Sequence, residues 1–150
     1  MAKKTPVLFL CTHNAARSQM AQAFLRKYGG DDFEAHSAGL QPTEVHPMTK
    51  RVMKEVGIDL DAEGHTSKDI YEAYLRPQVH LGYLITVCSN AEANCPIYPG
   101  VSERRYWPIA DPAAVEGTED ERLTAFRNAR DELKARVKAF IAEEGPEANG

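Results

Sequence analysis

Apolar positions along this chain come in two rhythms. Val7-Leu8-Phe9-Leu10 is a short continuous apolar run, the pattern of a strand buried on both faces. After the polar stretch Thr12 to Ser18, residues Met20, Phe24 and Tyr28, with Ala21 and Leu25, recur at the spacing of one helix face, and Gly29-Gly30 stops it. Phe33 to Ser37 predicts a second strand, ended by Ala38-Gly39. Pro47 opens a second helix with Val52, Met53 and Val56 inward and Gly57 as its stop. Ser67 to Leu75 predicts another short helix limited by Pro77, and Tyr83 to Val87 a third buried strand with Cys88 at its end. Ser89 to Gly100, rich in Asn and Pro, reads as loop; Arg105 to Ile109 predicts a fourth, weaker strand, with Tyr106 and Trp107 as core. Thr118 and Glu121 form a capping box, and Leu123, Phe126, Leu133, Val137 and Phe140 carry the last helix to about Ala142.

Strands alternating with helices imply a parallel sheet covered on both faces, and such sheets bind ligands outside the carboxyl ends of their strands. Cys11 and Cys88 both fall on that edge. No repeat or linker divides the 150 residues, so one domain over residues 1–150 is expected, ordered from about 5 to 142 with a disordered C-terminal tail.

A formal charge of -4 argues against nucleic acid or acidic membranes as partners, and no apolar stretch approaches the roughly 20 residues of a membrane span. The chain reads as cytoplasmic. Its three cysteines, Cys11, Cys88 and Cys95, are too few for a secreted disulfide scaffold. Without C-x-x-C or a histidine at ligand spacing beside Cys88 and Cys95, no metal site is expected.

The segment Cys11-Thr12-His13-Asn14-Ala15-Ala16-Arg17-Ser18 follows a buried strand and opens a helix. Its backbone N–H groups can converge on an oxyanion while the helix N-terminus adds partial positive charge. Arg17 supplies a planar fork for two oxygens, and both features favour the nucleophilic thiolate of Cys11. Ser18 can cap the helix or donate to the sulfur, Asn14 can brace the loop, and His13 stands where a positive φ would be awkward.

Cys11-x5-Arg17-Ser18, Ser37-Ala38-Gly39 and Asp111-Pro112 together resemble the low-molecular-weight tyrosine phosphatase family, from Val7 to about Phe140. The resemblance implies an α/β fold, three layers α/β/α around a central four-stranded parallel sheet. It also implies Cys11 as nucleophile, Arg17 as oxyanion ligand and Asp111 as general acid. A phosphatase gives no reason for Val87-Cys88-Ser89 and Asn94-Cys95-Pro96. Those segments, with Arg17 to Ala21 and Trp107, are similar to the arsenate reductases on this fold, in particular the thioredoxin-coupled group.

That resemblance implies an adduct of arsenate on Cys11, a Cys11-Cys88 and then a Cys88-Cys95 disulfide, and thioredoxin as external reductant with no cofactor. Phosphate or sulfate would share the loop, and the protein would act as a monomer. The alternative is a phosphomonoester or phosphotyrosine phosphatase using Cys11, Arg17 and Asp111, although Ala113-Ala114-Val115 lacks the aromatic pair that grips a phosphotyrosine ring. A third reading is a non-enzymatic oxyanion-binding or redox-sensing module. His36, His46, His65 and His80 are scattered and read as structural or surface residues. Gln22 stands where some relatives carry Glu, so no monovalent cation site is expected.

Overall fold

The structure, a computed structural model, describes residues 3–146. Four strands, β1 (Thr5–Cys11), β2 (Phe33–Gly39), β3 (Leu81–Thr86) and β4 (Val101–Tyr106), form one parallel sheet in the order β2-β1-β3-β4. Val7 to Leu10 are all fully buried, and consecutive strand residues point to opposite faces, so β1 is covered on both sides as its unbroken apolar run requires. The sequence order reverses between β2-β1 and β3-β4, and the crevice at the carboxyl ends of β1 and β3 is the place such a sheet offers a ligand.

Among the described residues four α-helices flank the sheet: α1 (Arg17–Gly29), α2 (Pro47–Lys54), α3 (Ser89–Ala93) and α4 (Glu119–Glu144). α1 and α2 both pack against α4. The expected capping box forms at Thr118 and Glu121, with Pro47 in the first turn of α2 and Gly57 at φ +82° beyond its end. Phe140 of α4 joins Phe33, Tyr83 and Trp107 in an aromatic cluster, with centroids 5.2, 4.9 and 6.2 Å from its own.

Several boundaries differ from expectation. Ser67 to Leu75 is not one helix: only Tyr71–Leu75 makes a turn, of π type, while Asp69 bridges to Gly39 as an extension of the sheet edge. The expected loop after Cys88 contains α3. The fourth strand lies four residues earlier than its apolar cluster suggested, because Val101–Tyr106 pairs with β3 while Trp107 turns into the core; Tyr106 is 40% exposed and is not core. α4 runs to Glu144, two residues past the predicted end, tied there by Arg105 Nη2 and Tyr83 Oη donating to its carboxylate at 2.6 and 2.8 Å. The last four residues of the expected disordered tail, 147–150, lie outside the described residues. Among the described residues no helix is long and apolar enough to cross a membrane.

Candidate active site

Residues 12–16 link β1 to α1, and the loop's shape follows from where its carbonyls go. The Cys11, Thr12 and His13 carbonyls accept the N–H groups of Leu40, Gln41 and Thr43, and that of Ala15 accepts His46 N–H. Because C=O and the next N–H of a trans peptide point in opposite directions, carbonyls held outward by this scaffold turn the following N–H groups into the hollow of the loop. At the helix end, Ala16 makes no side-chain cap, so the first-turn N–H groups of α1 also remain available. An electropositive nest over Cys11 results.

Asn14, fully buried, is the loop's brace. It holds φ +52°, so the left-handed position is Asn14 and not His13, and asparagine tolerates it. Its Oδ1 accepts Lys68 N–H at 2.9 Å and its Nδ2 donates to Ser18 Oγ at 2.7 Å. With that acceptor role filled, the Ser18 hydroxyl proton is directed to Cys11 Sγ, 2.9 Å away, and Asn14 N–H reaches the same sulfur at 3.2 Å. Of the two roles open to Ser18, the sulfur contact is the one adopted. Two donors thus converge on one buried sulfur.

Three bracing residues were not singled out from sequence as parts of the site. Gln19, fully buried in α1, donates from Nε2 to Asn14 O at 2.9 Å and Thr66 O at 2.8 Å, and accepts His65 Nδ1–H at 2.8 Å. His65 therefore keeps its other nitrogen unprotonated; burial first, then the charges of Arg26 and Lys68, press its pKa to about 4. Gly39 is the third: a Cβ there would sit 2.8 Å from Thr12 O and 3.0 Å from Asn14 N, so only glycine lets β2 approach the loop this closely. A polar residue on an apolar helix face was the available signal for Gln19; nothing local marked His65.

Arg17 and Asp111 are brought together. Arg17 Nη1 donates to Ile109 O at 2.9 Å, and Nη2 lies 3.7 Å from Asp111 Oδ2. Asp111 Oδ1 also caps the turn Pro112–Ala114 through Ala113 N–H. An open cleft of about 530 Å³ is lined by Thr12, His13, Arg17, Cys88, Asn90 and Asp111, among others.

Cys88 reaches this site from β3. Leu10 pairs with Thr86 and Val87 N–H still bonds to Leu10 O at 2.9 Å, so Cys11 and Cys88 leave neighbouring strands one residue out of step. Cys88 caps α3, its sulfur accepting Ala91 N–H at 3.3 Å, and Thr12 Oγ1 lies 3.5 Å from the same sulfur. Asn90 Nδ2 donates to Thr12 Oγ1 at 2.8 Å, leaving the threonine proton for Cys88. Cys11 and Cys88 are buried and Cys95 is half-buried. Burial pushes the Cys95 thiol up against the opposing pull of Arg104. Cys95 lies seven residues past Cys88 with α3 between them, about 10 Å at helical rise, whereas a disulfide needs α-carbons within about 7 Å. Among the described residues no group of acidic, histidine and cysteine side chains could hold a metal ion.

A cysteine at the floor of a nest of N–H groups, an arginine and an aspartate at its rim, and a parallel sheet beneath define a candidate oxyanion site on a phosphatase-like architecture. The family model for low molecular weight phosphotyrosine protein phosphatases matches residues 6–147, and the chain belongs to that family. Within it, the chain is 39% identical to an arsenate reductase of Halalkalibacterium halodurans, over 95% of this chain and 98% of that protein. The solved structure of an arsenate reductase in the phosphate binding state is similar at a TM-score of 0.74 and 30% identity, over 93% of this chain and 98% of that one. An arsenate reductase in its oxidized state is similar at a TM-score of 0.75 and 30% identity, over the same shares.

Proposed function

We propose that this protein reduces arsenate to arsenite through a relay of three thiols. The observation that carries the reading is the bridge Asn90–Thr12–Cys88, which sets a second thiol beside the residue following Cys11, in the same cleft as Arg17 and Asp111. A phosphatase has no use for that thiol. The kinship to arsenate reductases supports the same reading.

Arsenate, tetrahedral like phosphate, binds in the nest of residues 12–18 with Arg17 on two of its oxygens. The Cys11 thiolate attacks arsenic, an As–O bond breaks, and Asp111 protonates the leaving oxygen. The Cys88 thiolate then attacks Cys11 Sγ. An S–S bond forms, the S–As bond breaks, and its electron pair stays on arsenic, which leaves as arsenite. Unwinding of α3 lets the Cys95 thiolate attack Cys88 Sγ, which frees Cys11 and leaves a Cys88–Cys95 disulfide. A dithiol protein of the thioredoxin class supplies the two electrons that reopen it. In this reading the whole chain is one monomeric domain working in the cytoplasm, where thiols stay reduced, without metal or organic cofactor.

Anaerobic single-turnover reaction with arsenate followed by disulfide mapping tests the relay. Cys11→Ser abolishes adduct and arsenite; Cys88→Ser forms the adduct and releases no arsenite; Cys95→Ser yields about one arsenite per chain and stalls as Cys11–Cys88. Normal thioredoxin-driven cycling by both Cys88→Ser and Cys95→Ser would end the proposal in favour of phosphomonoester hydrolysis.

A further inference from the structure

A second cavity, of about 510 Å³, opens where α1, β2 and residues 64–68 meet, away from the catalytic cleft. Two cations, Arg26 and Lys68, line it together with one carboxylate, Glu34. Lys68 spends one ammonium donor on Thr66 O at 2.6 Å, and its pKa falls to about 8 through burial first and the charge of Arg26 second. Arg26 makes its contacts through Nη1 alone: His65 Nε2 at 3.4 Å, Glu63 O at 3.5 Å and Glu63 Oε1 at 3.8 Å, all long. Lys4 adds a third positive charge to the lining. Glu34, the carboxylate on the wall, is engaged with His36 Nε2 at 2.6 Å, and His36 Nδ1 accepts the Tyr74 hydroxyl at 3.1 Å. Arg26 Nη2 and Nε, and the remaining Lys68 ammonium donors, have no hydrogen-bond partner among the described residues.

We infer that this cavity is a second oxyanion site, taking a small tetrahedral oxyanion such as inorganic phosphate between the Arg26 guanidinium and the Lys68 ammonium. The inference rests on the cavity and its donors and is independent of the reaction proposed above. Gly64 at φ +76° lines the mouth without a side chain, and no heavy atom lies within 4 Å of the place its Cβ would take. The site is joined to the catalytic loop by short bonds. Lys68 N–H holds Asn14 Oδ1 at 2.9 Å, and Gln19 Nε2 ties Thr66 O to Asn14 O. An anion fixing Lys68 therefore stiffens the segment that braces Asn14.

Calorimetric titration with inorganic phosphate at pH 6.5 distinguishes the two sites. The unmodified protein takes two phosphates per chain. Arg17→Ala, which disables the catalytic loop, keeps one; Arg26→Gln combined with Lys68→Met loses that one and keeps the other. A single phosphate per chain in the unmodified protein, or no phosphate bound to Arg17→Ala, overturns the inference. Should the double variant fail to fold, the Lys68 ammonium is followed by nitrogen NMR in Arg17→Ala. Saturating phosphate raises its midpoint from about 8 by about one pH unit, and a midpoint that phosphate does not move refutes the site.

Discussion

Replacing Asn14 separates the two things that residue does. Asn14→Ala removes the acceptor of Lys68 N–H and the donor to Ser18 Oγ, and it places a Cβ-bearing residue with no local hydrogen bond at φ +52°. Leaving a buried N–H without a partner costs about 1–3 kcal/mol, and a left-handed alanine about 1–2 kcal/mol more. The total is about 2–5 kcal/mol, a large share of a small domain's stability. Asn14→Gly loses the same bonds but adopts the backbone without strain, so it is the more stable variant by about 1 kcal/mol. Urea unfolding measures both, read as a shift in midpoint at constant slope. Ser18 loses its directing partner in either variant, so the rate of arsenite formation in a single turnover falls in both. Equal midpoints for the two variants would show that the left-handed backbone carries no cost. Midpoints equal to that of the unmodified protein would show that Asn14 is not the brace.

Gly39→Ala puts a Cβ 2.8 Å from Thr12 O, so the loop carbonyl gives way by about half an ångström; kcat/KM for arsenate then falls about tenfold or more while the fold persists, and unaltered kinetics would refute the close-approach argument. His65 is protonated near pH 6.5 in the unfolded chain and only near 4 in the folded one, so stability is full above 6.5, falls as the pH drops toward 4 by about 3 kcal/mol, and levels below that. Urea midpoints of the unmodified protein and of His65→Gln between pH 7 and 4 check this; the variant loses most of that decline, and parallel curves would reject it.

The sheet and the place of Cys11 at its carboxyl edge were legible in the sequence because their signals are local. An apolar run, a cysteine at its end and a helix opening at Arg17 occupy adjacent positions, and β1, the loop and α1 follow in that order. The capping box at Thr118 was legible for the same reason. β4 was misplaced because an edge strand exposed along most of its length carries no apolar run, and Trp107 drew the expectation toward the core cluster it joins after the strand has ended. Only His65 had no local signal as a member of the site, because it acts through a contact made by the fold, meeting Gln19 across 46 positions.

α3 shows how such a miss bears on the chemistry. Asn90, Asn94 and Pro96 read correctly as weak helix formers, yet five residues take up a helix once Cys88 caps it and Asn94 closes it through its N–H to Asn90 O. A helix this short, capped by a sulfur rather than an oxygen, holds little free energy of its own. In the proposed relay, drawing Cys88 into a bond with Cys11 withdraws that cap, because the sulfur that accepts Ala91 N–H is the one assigned to attack. On that proposal the first disulfide loosens the segment whose unwinding the second requires. Amide exchange at Ala91, Glu92 and Ala93 accelerates when Cys11–Cys88 is trapped in Cys95→Ser; protection equal to that of the reduced protein would leave the second step without its opening.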